Sequence, residues 1–522
     1  MSESEISDSE MENFDRMIYD SEDDVDSSSF SSSTAYSDDD DGMEDQNYRE
    51  VFSPEEPQPF PFTFQELPGP KHMPPPDSPP IAYFYLFFTN TLLSLMVEET
   101  NRYAQQVING LGNNVPSYLK DWTEVSVPEM KGFLACTMNM GYIEQSDIPL
   151  YRFTSPIEST WWFREMFSKR RFFLILRFFH LVDKTKLPGH DYDPCAKLQL
   201  LLDHANKVFR HHYTPHQEIS VDEISIGIKF WMMIDSVSNY CLGFERARSQ
   251  QEEEDSISEF GVGYTVVRKL LEIGMYLNKG YHFFIERRFM SVPLVRHLYS
   301  LQTYVTGIVR RNIKMLPQQF KEKFAVGKIS YFRSGPVLAC AFREKKSKKN
   351  PVLLLSTRAW ARDVEVIRNG KAELKPEIIQ IYNKFISGID TSDMVLYTYW
   401  DKNRPMQYWK NLAFNIIARM VLNSYILYKE NFAGPGKPKS LYDYHVAVIK
   451  SLGEEWKATN RLETNPNNQR VSGNFREGKS FAVCTAVVAG GGHNVSTLSN
   501  IVLTVILLLI FFLFGKFCYI KV

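Results

Sequence analysis

The chain has 522 residues, 44% of them apolar and 14% aromatic, enough for two or three ordinary domains at ~150 residues each. Lys plus Arg number 59 against 62 Asp plus Glu, yet residues 1–50 hold 18 acids and only Arg16 and Arg49 as bases, which leaves 57 bases against 44 acids in residues 51–522. A uniformly acidic solvating protein is excluded, and a polyanionic partner is worth considering. The six cysteines, Cys136, Cys195, Cys241, Cys340, Cys484 and Cys518, form no CxxC pair, so neither a disulfide framework nor a zinc ribbon is expected. Met1-Ser2-Glu3-Ser4-Glu5 lacks the basic and apolar regions of a signal peptide.

Residues 1–53 are rich in Ser, Asp and Glu and read as an acidic disordered tail; serines before acid runs also suit acidophilic kinases. The Pro-rich residues 54–81 read as a stiff linker. Helical spacing opens at Ala82, with Phe84, Leu86, Phe87, Leu92, Leu93, Leu95 and Met96, and begins a helical N-terminal domain over 82–205. Within it Ser126-Val127-Pro128-Glu129 predicts a capped helix start, and Ser168 to Val182 a further helix. The aromatic stripe of that second helix (Phe172, Phe173, Phe179) is read as core.

Alternation then predicts strands at Ile219–Ile224 and Ile226–Ile234 joined by a tight hairpin, and others at Tyr240–Phe244, Tyr281–Ile285, Thr303–Val309 and Pro351–Ser356, with a helix over Val292–Leu301. Helical spacing returns at Asp390–Trp400 and Met406–Tyr428. Strands around a central carboxylate, with helices before and after, predict an α/β fold with a mixed sheet. After a polar linker over 456–497, residues 498–514 carry no charge; a helix over 498–520 would reach across a bilayer as a C-terminal transmembrane-like tail anchor. A buried core helix and a gene-model artefact stay open beside it.

Asp222 and Glu223 in a strand are weak evidence alone, because most such carboxylates are merely exposed. Their context is His216-Gln217-Glu218-Ile219-Ser220-Val221-Asp222-Glu223. Four further blocks are Glu99-Thr100-Asn101-Arg102-Tyr103-Ala104, Lys279 to Ser291 with Phe283-Phe284-Ile285-Glu286-Arg287-Arg288-Phe289, Tyr304-Val305-Thr306-Gly307-Ile308-Val309-Arg310, and Tyr382-Asn383-Lys384-Phe385-Ile386-Ser387-Gly388-Ile389-Asp390-Thr391-Ser392-Asp393. In that order they resemble the piggyBac family of DNA transposases, over about residues 82–431.

The resemblance implies an RNase H-like core in two parts, 206–317 and 376–455, the second with a helical closing region. A strand-rich insertion over 318–375 interrupts it, and the helical domain 82–205 binds DNA. It also implies three aspartates holding Mg²⁺, because a hard cation prefers carboxylate oxygen, for two-metal phosphoryl transfer. Carried over, the first aspartate falls on Asp222, the third on Asp390 and an additional acid on Asp393. The second position holds Glu286, whose extra methylene moves the carboxylate by about 1 Å, and such misplacement can cost ~100-fold in rate. Arg287 and Arg288 beside it could compete with the metal as counter-charges.

Two more departures stand out. Asp222 runs almost directly into the next strand, where the family places a basic segment with Gly-Arg and Lys-Pro elements. After residue 430 only Cys484, Cys518, His445 and His493 are available, so the family's zinc-binding end-recognition domain is not expected. Arg343 to Lys349 packs five bases into seven residues, and Lys345, Lys346, Lys348 and Lys349, with Arg310, are candidate DNA contacts, a solvated turn being the alternative.

Three readings stay open. The first is a domesticated, nuclear DNA-binding protein with impaired or lost strand cleavage and transfer, binding double-stranded DNA and open to homodimer formation. The second is a residually active Mg²⁺-dependent transposase or nuclease using Asp222, Glu286 and Asp390. The third is a tail-anchored protein of the endoplasmic reticulum or nuclear envelope that reuses the fold for interaction.

Overall fold

The computed structural model describes residues 48–464, apart from residues 58, 144–160, 188–193, 227, 247–261, 314, 345–349, 369–370, 389–391, 393 and 397–407. Its strands are β1 (Arg49–Val51), β2 (Gly69–Pro70), β3 (Tyr213–Thr214), β4 (Glu218–Ile226), β5 (Ile228–Asp235), β6 (Cys241–Arg246), β7 (His282–Ile285), β8 (Tyr304–Val309), β9 (Ile329–Ser334), β10 (Val337–Phe342), β11 (Val352–Ser356), β12 (Asp363–Arg368) and β13 (Lys371–Pro376). Its helices are α1 (Pro80–Phe87), α2 (Asn90–Gly110), α3 (Val127–Asn139), α4 (Trp161–Met166), α5 (Lys169–Phe178), α6 (Gln199–His212), α7 (Val262–Gly274), α8 (Val292–Ser300), α9 (Glu377–Ile386), α10 (Tyr408–Asn431) and α11 (Leu441–Thr464).

Local signals set the helical part. Ser126 caps α3, its Oγ accepting from the Glu129 N–H at 3.4 Å, and Ser168 caps α5 through the Arg171 N–H at 3.2 Å. α5 stops at Phe178, short of the expected Val182, where Lys410 Nζ donates to the Leu176 and Arg177 carbonyls at 2.7 and 2.8 Å. Those carbonyls are the acceptors a helix end leaves unsatisfied. The Glu99–Ala104 block is a tether in α2: Asn101 bonds the Val125 N–H and C=O, and Thr100 Oγ1 accepts from the His180 N–H.

Nine strands form one mixed sheet in the order β1-β9-β10-β11-β8-β7-β4-β5-β6. The β4–β7 and β7–β8 pairs are parallel, and every other pair in the sheet is antiparallel. The expected hairpin is present, Ile226 pairing Ile228. The strand-rich segment over 318–375 supplies β9–β11, which lengthen this same sheet, and the β12–β13 hairpin. At the β6 edge two asparagines occupy free backbone groups: Asn206 of α6 bonds both the N–H and C=O of Phe244, and Asn423 of α10 does the same at Cys241. A blocked edge cannot template another strand.

Residues 54–72 lie along the molecule as a strap. Arg333 of β9 holds Glu55 through Nε and Nη2 at 2.7 and 2.6 Å, and Glu55 also accepts from the Ala361 N–H at 3.0 Å. Phe60 stacks on Trp360, Phe62 packs on Tyr299 and Tyr304, and Phe64 meets Tyr281 edge-on at 4.9 Å. Glu66 takes hydrogen bonds from Lys279 and Tyr281, and β2 then pairs with β3. The aromatic anchors bring apolar area out of water, which offsets the entropy of ordering an otherwise extended segment.

The apolar run 498–520 lies outside the described residues. Among the described residues no single helix is long and apolar enough to cross a membrane; the bent pair α1 and α2 passes only jointly, across a 62° bend, and its buried residues place it in the core. The expected transmembrane-like helix is therefore without structural support.

Candidate active site

The parallel register of β4 and β7 runs Glu218–His282, Ile219–Phe283, Ser220–Phe284 and Val221–Ile285. One residue beyond this register Asp222 continues β4, while Glu286 opens the turn that follows β7; paired strands lie ~4.8 Å apart. Alternation puts Asp222 on the face that carries Ser220 and Phe284, and Glu286 follows β7 directly. Both residues are partly exposed, whereas Ser220 and Phe284 are buried.

The rest of that face is closed. α9 covers it, Phe385 lying 4.9 Å from the Phe284 ring, and the Tyr382 hydroxyl donates to the Ile285 carbonyl at 3.5 Å. Farther from Asp222, His282 Nε2 meets Thr306 Oγ1 at 2.8 Å, and Thr306 meets Ser356 Oγ at 2.7 Å. Burial, with the nearby Arg358 charge, pushes the His282 imidazole well below its ordinary pKa, so this ladder is uncharged. Among the described residues, Asp222 and Glu286 are partly exposed acids at one end of this face, and Glu218, within 3.8 Å of Arg358, is a further one at the other end.

The turn after β7 fixes how Glu286 is presented. The Phe289 N–H donates to the Glu286 carbonyl at 3.2 Å, and Phe289 packs edge-on against Trp231 at 4.6 Å. Arg288 thereby reaches Glu223, forming an ion pair with that carboxylate. Glu223 alternates to the face opposite Asp222. The expectation that Arg288 could compete with a metal as counter-charge at Glu286 is thus corrected: its charge is met by Glu223. Arg287 is exposed.

Asp390 and Asp393 lie outside the described residues, as do Lys345, Lys346, Lys348 and Lys349. The chain on either side of Asp390 is placed. A Cβ on Gly388 would stand 3.3 Å from Ser220 Oγ and 3.5 Å from Ile234 Cγ2, so Gly388 lies against β4 and β5. Ser392 is buried and accepts from Arg419 Nη1 at 3.1 Å. Arg310, one residue past β8, is partly exposed. Among the described residues no group of three or more His, Cys, Asp or Glu side chains is placed to hold a metal ion.

His216 opens the motif that contains Asp222 and has a structural partner that spacing did not reveal. Its Nδ1 meets the fully buried Asp235 at 2.8 Å, and Tyr213 donates to the same carboxylate at 2.9 Å. The Asp235 hydrogen bond raises the His216 pKa. Burial alone would raise Asp235, but the bonds from His216 and from the Val237 and His216 backbone N–H groups outweigh it and hold the carboxyl below its ordinary range.

The family model described as Transposase IS4 matches residues 79–425. The chain belongs to this transposase family. The human piggyBac transposable element-derived protein 2 is 23% identical over 382 residues, covering 67% of this chain and 61% of its own length. The human piggyBac transposable element-derived protein 5 is 28% identical over 158 residues, 30% of this chain and 28% of that protein. The match thus spans about three fifths of the first relative. In fold, the chain is similar to a piggyBac transposase solved by cryo-EM as a synaptic complex with hairpin DNA, with a TM-score of 0.65 and 21% identity over 78% of this chain and 86% of that one. The transposase-family chain is therefore related to piggyBac transposase and its derivatives, with a mixed α/β fold built on a large mixed sheet.

Proposed function

We propose that this chain is a transposase-derived, nuclear DNA-binding protein in which DNA strand cleavage is impaired. The observation that carries the reading is the parallel β4–β7 register, which ends at Val221–Ile285, one residue before Asp222 and before a glutamate, Glu286. The strand order β6-β5-β4-β7-β8, three antiparallel strands followed by two parallel to the first, supports an RNase H-like core with Asp222 on its central strand. The solved relative in fold is a complex with DNA, and residues 51–522 carry a net excess of bases, which suits a polyanion.

Two carboxylates are donors of the right hardness for Mg²⁺, and Asp222 and Glu286, completed by Asp390, would hold it. When bound, the ion would supply charge stabilisation to a phosphoryl group. What the chain itself contributes is position. The β4–β7 register, continued by one residue, would bring the two carboxylates together, and the turn with Phe289 on Trp231 and Arg288 on Glu223 holds the chain just after Glu286. The longer Glu286 side chain then ends about 1 Å from where aspartate would, a misplacement that can cost ~100-fold.

A DNA nicking assay in Mg²⁺ and in Mn²⁺ tests this. The expected result is salt-sensitive DNA binding by the wild-type chain, slow nicking, and a gain of about 100-fold in Glu286→Asp. Absence of DNA binding at low salt would defeat the reading. Fast nicking by the wild type, abolished by Glu286→Ala, would replace it with a working Mg²⁺-dependent transposase or nuclease.

A further inference from the structure

Several basic side chains are neutralised in ion pairs: Arg171 by Glu129, Arg288 by Glu223, Arg333 by Glu55 and Lys279 by Glu66. One surface departs from this pattern. Lys207, Arg210 and His211 stand at i, i+3 and i+4 on the last turns of α6, all three exposed, and this spacing puts them on one face of the helix. The strap lays two more groups on the same turns. Lys71 Nζ donates to the Arg210 carbonyl at 3.0 Å, the Lys71 N–H to the His212 carbonyl at 2.7 Å, and the His72 ring stacks on His211 with centroids 4.4 Å apart and planes 11° off parallel. His72 holds a φ of 56°, a left-handed conformation that non-glycine residues adopt at some cost.

The hydrogen bonds of Lys71 and Arg210 go to backbone carbonyls, the Arg210 guanidinium donating to Ile273 at 2.7 Å. The neighbouring acids are engaged elsewhere: Asp203 accepts from Gln199, Glu245 faces Lys269, Glu272 pairs with Arg268, and Glu66 is held by Lys279 and Tyr281. The crowding of positive charge registers in the groups themselves. Burial, then the fields of His72, Lys71 and Lys207, lowers the His211 pKa. Burial lowers that of Lys71 against the pull of Glu66, with the Lys279 and Arg210 charges adding to the lowering. An anion at this surface would relieve both.

We infer that Lys71, His72, Lys207, Arg210 and His211 form a contact surface for the phosphate backbone of duplex DNA. The inference rests on the DNA-binding reading above and adds where the backbone lies. α6 leads through β3 into the start of β4, and the strap passes Tyr281 and Tyr304 at the starts of β7 and β8. The surface therefore sits at the end of the sheet opposite Asp222 and Glu286. Backbone contacts there are sequence-independent and need no intact cleavage site.

The test is fluorescence anisotropy of a labelled duplex with the full-length chain over a salt series, comparing wild type, Lys207→Glu, Lys207→Ala/His211→Ala and, as a control on another helix, Lys450→Ala, an exposed base of α11. Lys207 is exposed and its replacement leaves the helix intact, so Lys207→Glu keeps the test readable should the double variant fold poorly. The expected result is about tenfold weaker binding in Lys207→Glu and a salt slope lower by about one unit per lost phosphate contact, with Lys450→Ala unchanged. Wild-type binding with the same affinity and slope in Lys207→Glu would overturn the inference and leave the DNA-binding reading standing. No binding by the wild type would remove both.

Discussion

Gly307→Ala is expected to lower stability by roughly 3 kcal/mol, a large cost for one methyl group. Gly307 of β8 pairs with Ile285 on one side and Leu355 on the other, in the middle of the sheet. A Cβ there would stand 2.5 Å from the Ile285 carbonyl oxygen and 3.0 Å from Met290 Sδ. The sulfur sits on a flexible side chain that can swing away, but the carbonyl belongs to β7 and can yield only if β8 separates from it. Ile285 immediately precedes Glu286, so the same displacement should disturb the acidic pair. The urea midpoint checks the first effect and divalent-ion affinity the second. An unchanged midpoint would show that β7 and β8 are not packed as described.

Arg333→Met is the second large loss expected, about 3 kcal/mol, the lower end of the cost of removing one partner from a buried ion pair. The side chains of Arg333 and Glu55 are 10% and 12% exposed, and the guanidinium also donates to the Ala359 carbonyl. Without Arg333 the Glu55 carboxylate remains in place with its charge unmet, and the strap loses its anchor on β9. Arg333→Met/Glu55→Gln should regain most of the loss, because a neutral pair leaves no uncompensated charge.

The pH dependence of this pair has a definite sign. Burial alone would raise Glu55, but the Arg333 hydrogen bonds and charge and the Ala361 N–H outweigh it, so the carboxyl lies below its ordinary value. A depressed carboxyl adds stability above its unfolded pKa of ~4.3, and that contribution is lost as the pH falls through the folded value. Thermal melts of wild type and Arg333→Met should therefore differ fully at neutral pH and converge in acid. A gap that stays constant to pH ~3 would contradict the assignment.

The β4–β5 hairpin and the strands β6, β7, β8 and β11 were legible because each is a run of alternating or continuous apolar residues, and period 2 is a local property. α3 was legible from Ser126 and Pro128 for the same reason. The strap was not. Its composition is that of a linker, and what orders it lies hundreds of residues away, Arg333 for Glu55 and Trp360 for Phe60.

The site divides in the same manner. Asp222 and Glu286 could be singled out from their motifs, but what relates them in space is the parallel β4–β7 register, which ends one residue before both and which no local pattern encodes. The Arg288–Glu223 pair likewise follows from a turn that folds Phe289 under Trp231. Lys207, Arg210 and His211 carried a helical spacing that could have been noticed, whereas Lys71 and His72 join them only through the strap.

The central claim is that Asp222 and Glu286 stand together as a pair of carboxylates able to engage a divalent cation. Calorimetry of the full-length chain with Mg²⁺ and Mn²⁺ tests it most directly, the full chain being needed because the strap is part of the fold. The account predicts saturable binding that is lost in Asp222→Ala and weakened at least tenfold in Glu286→Ala, in line with the cost of removing a ligand-shell group. Heats that are the same in wild type and both variants would show that the two carboxylates form no site, and the account of the acidic pair would be contradicted.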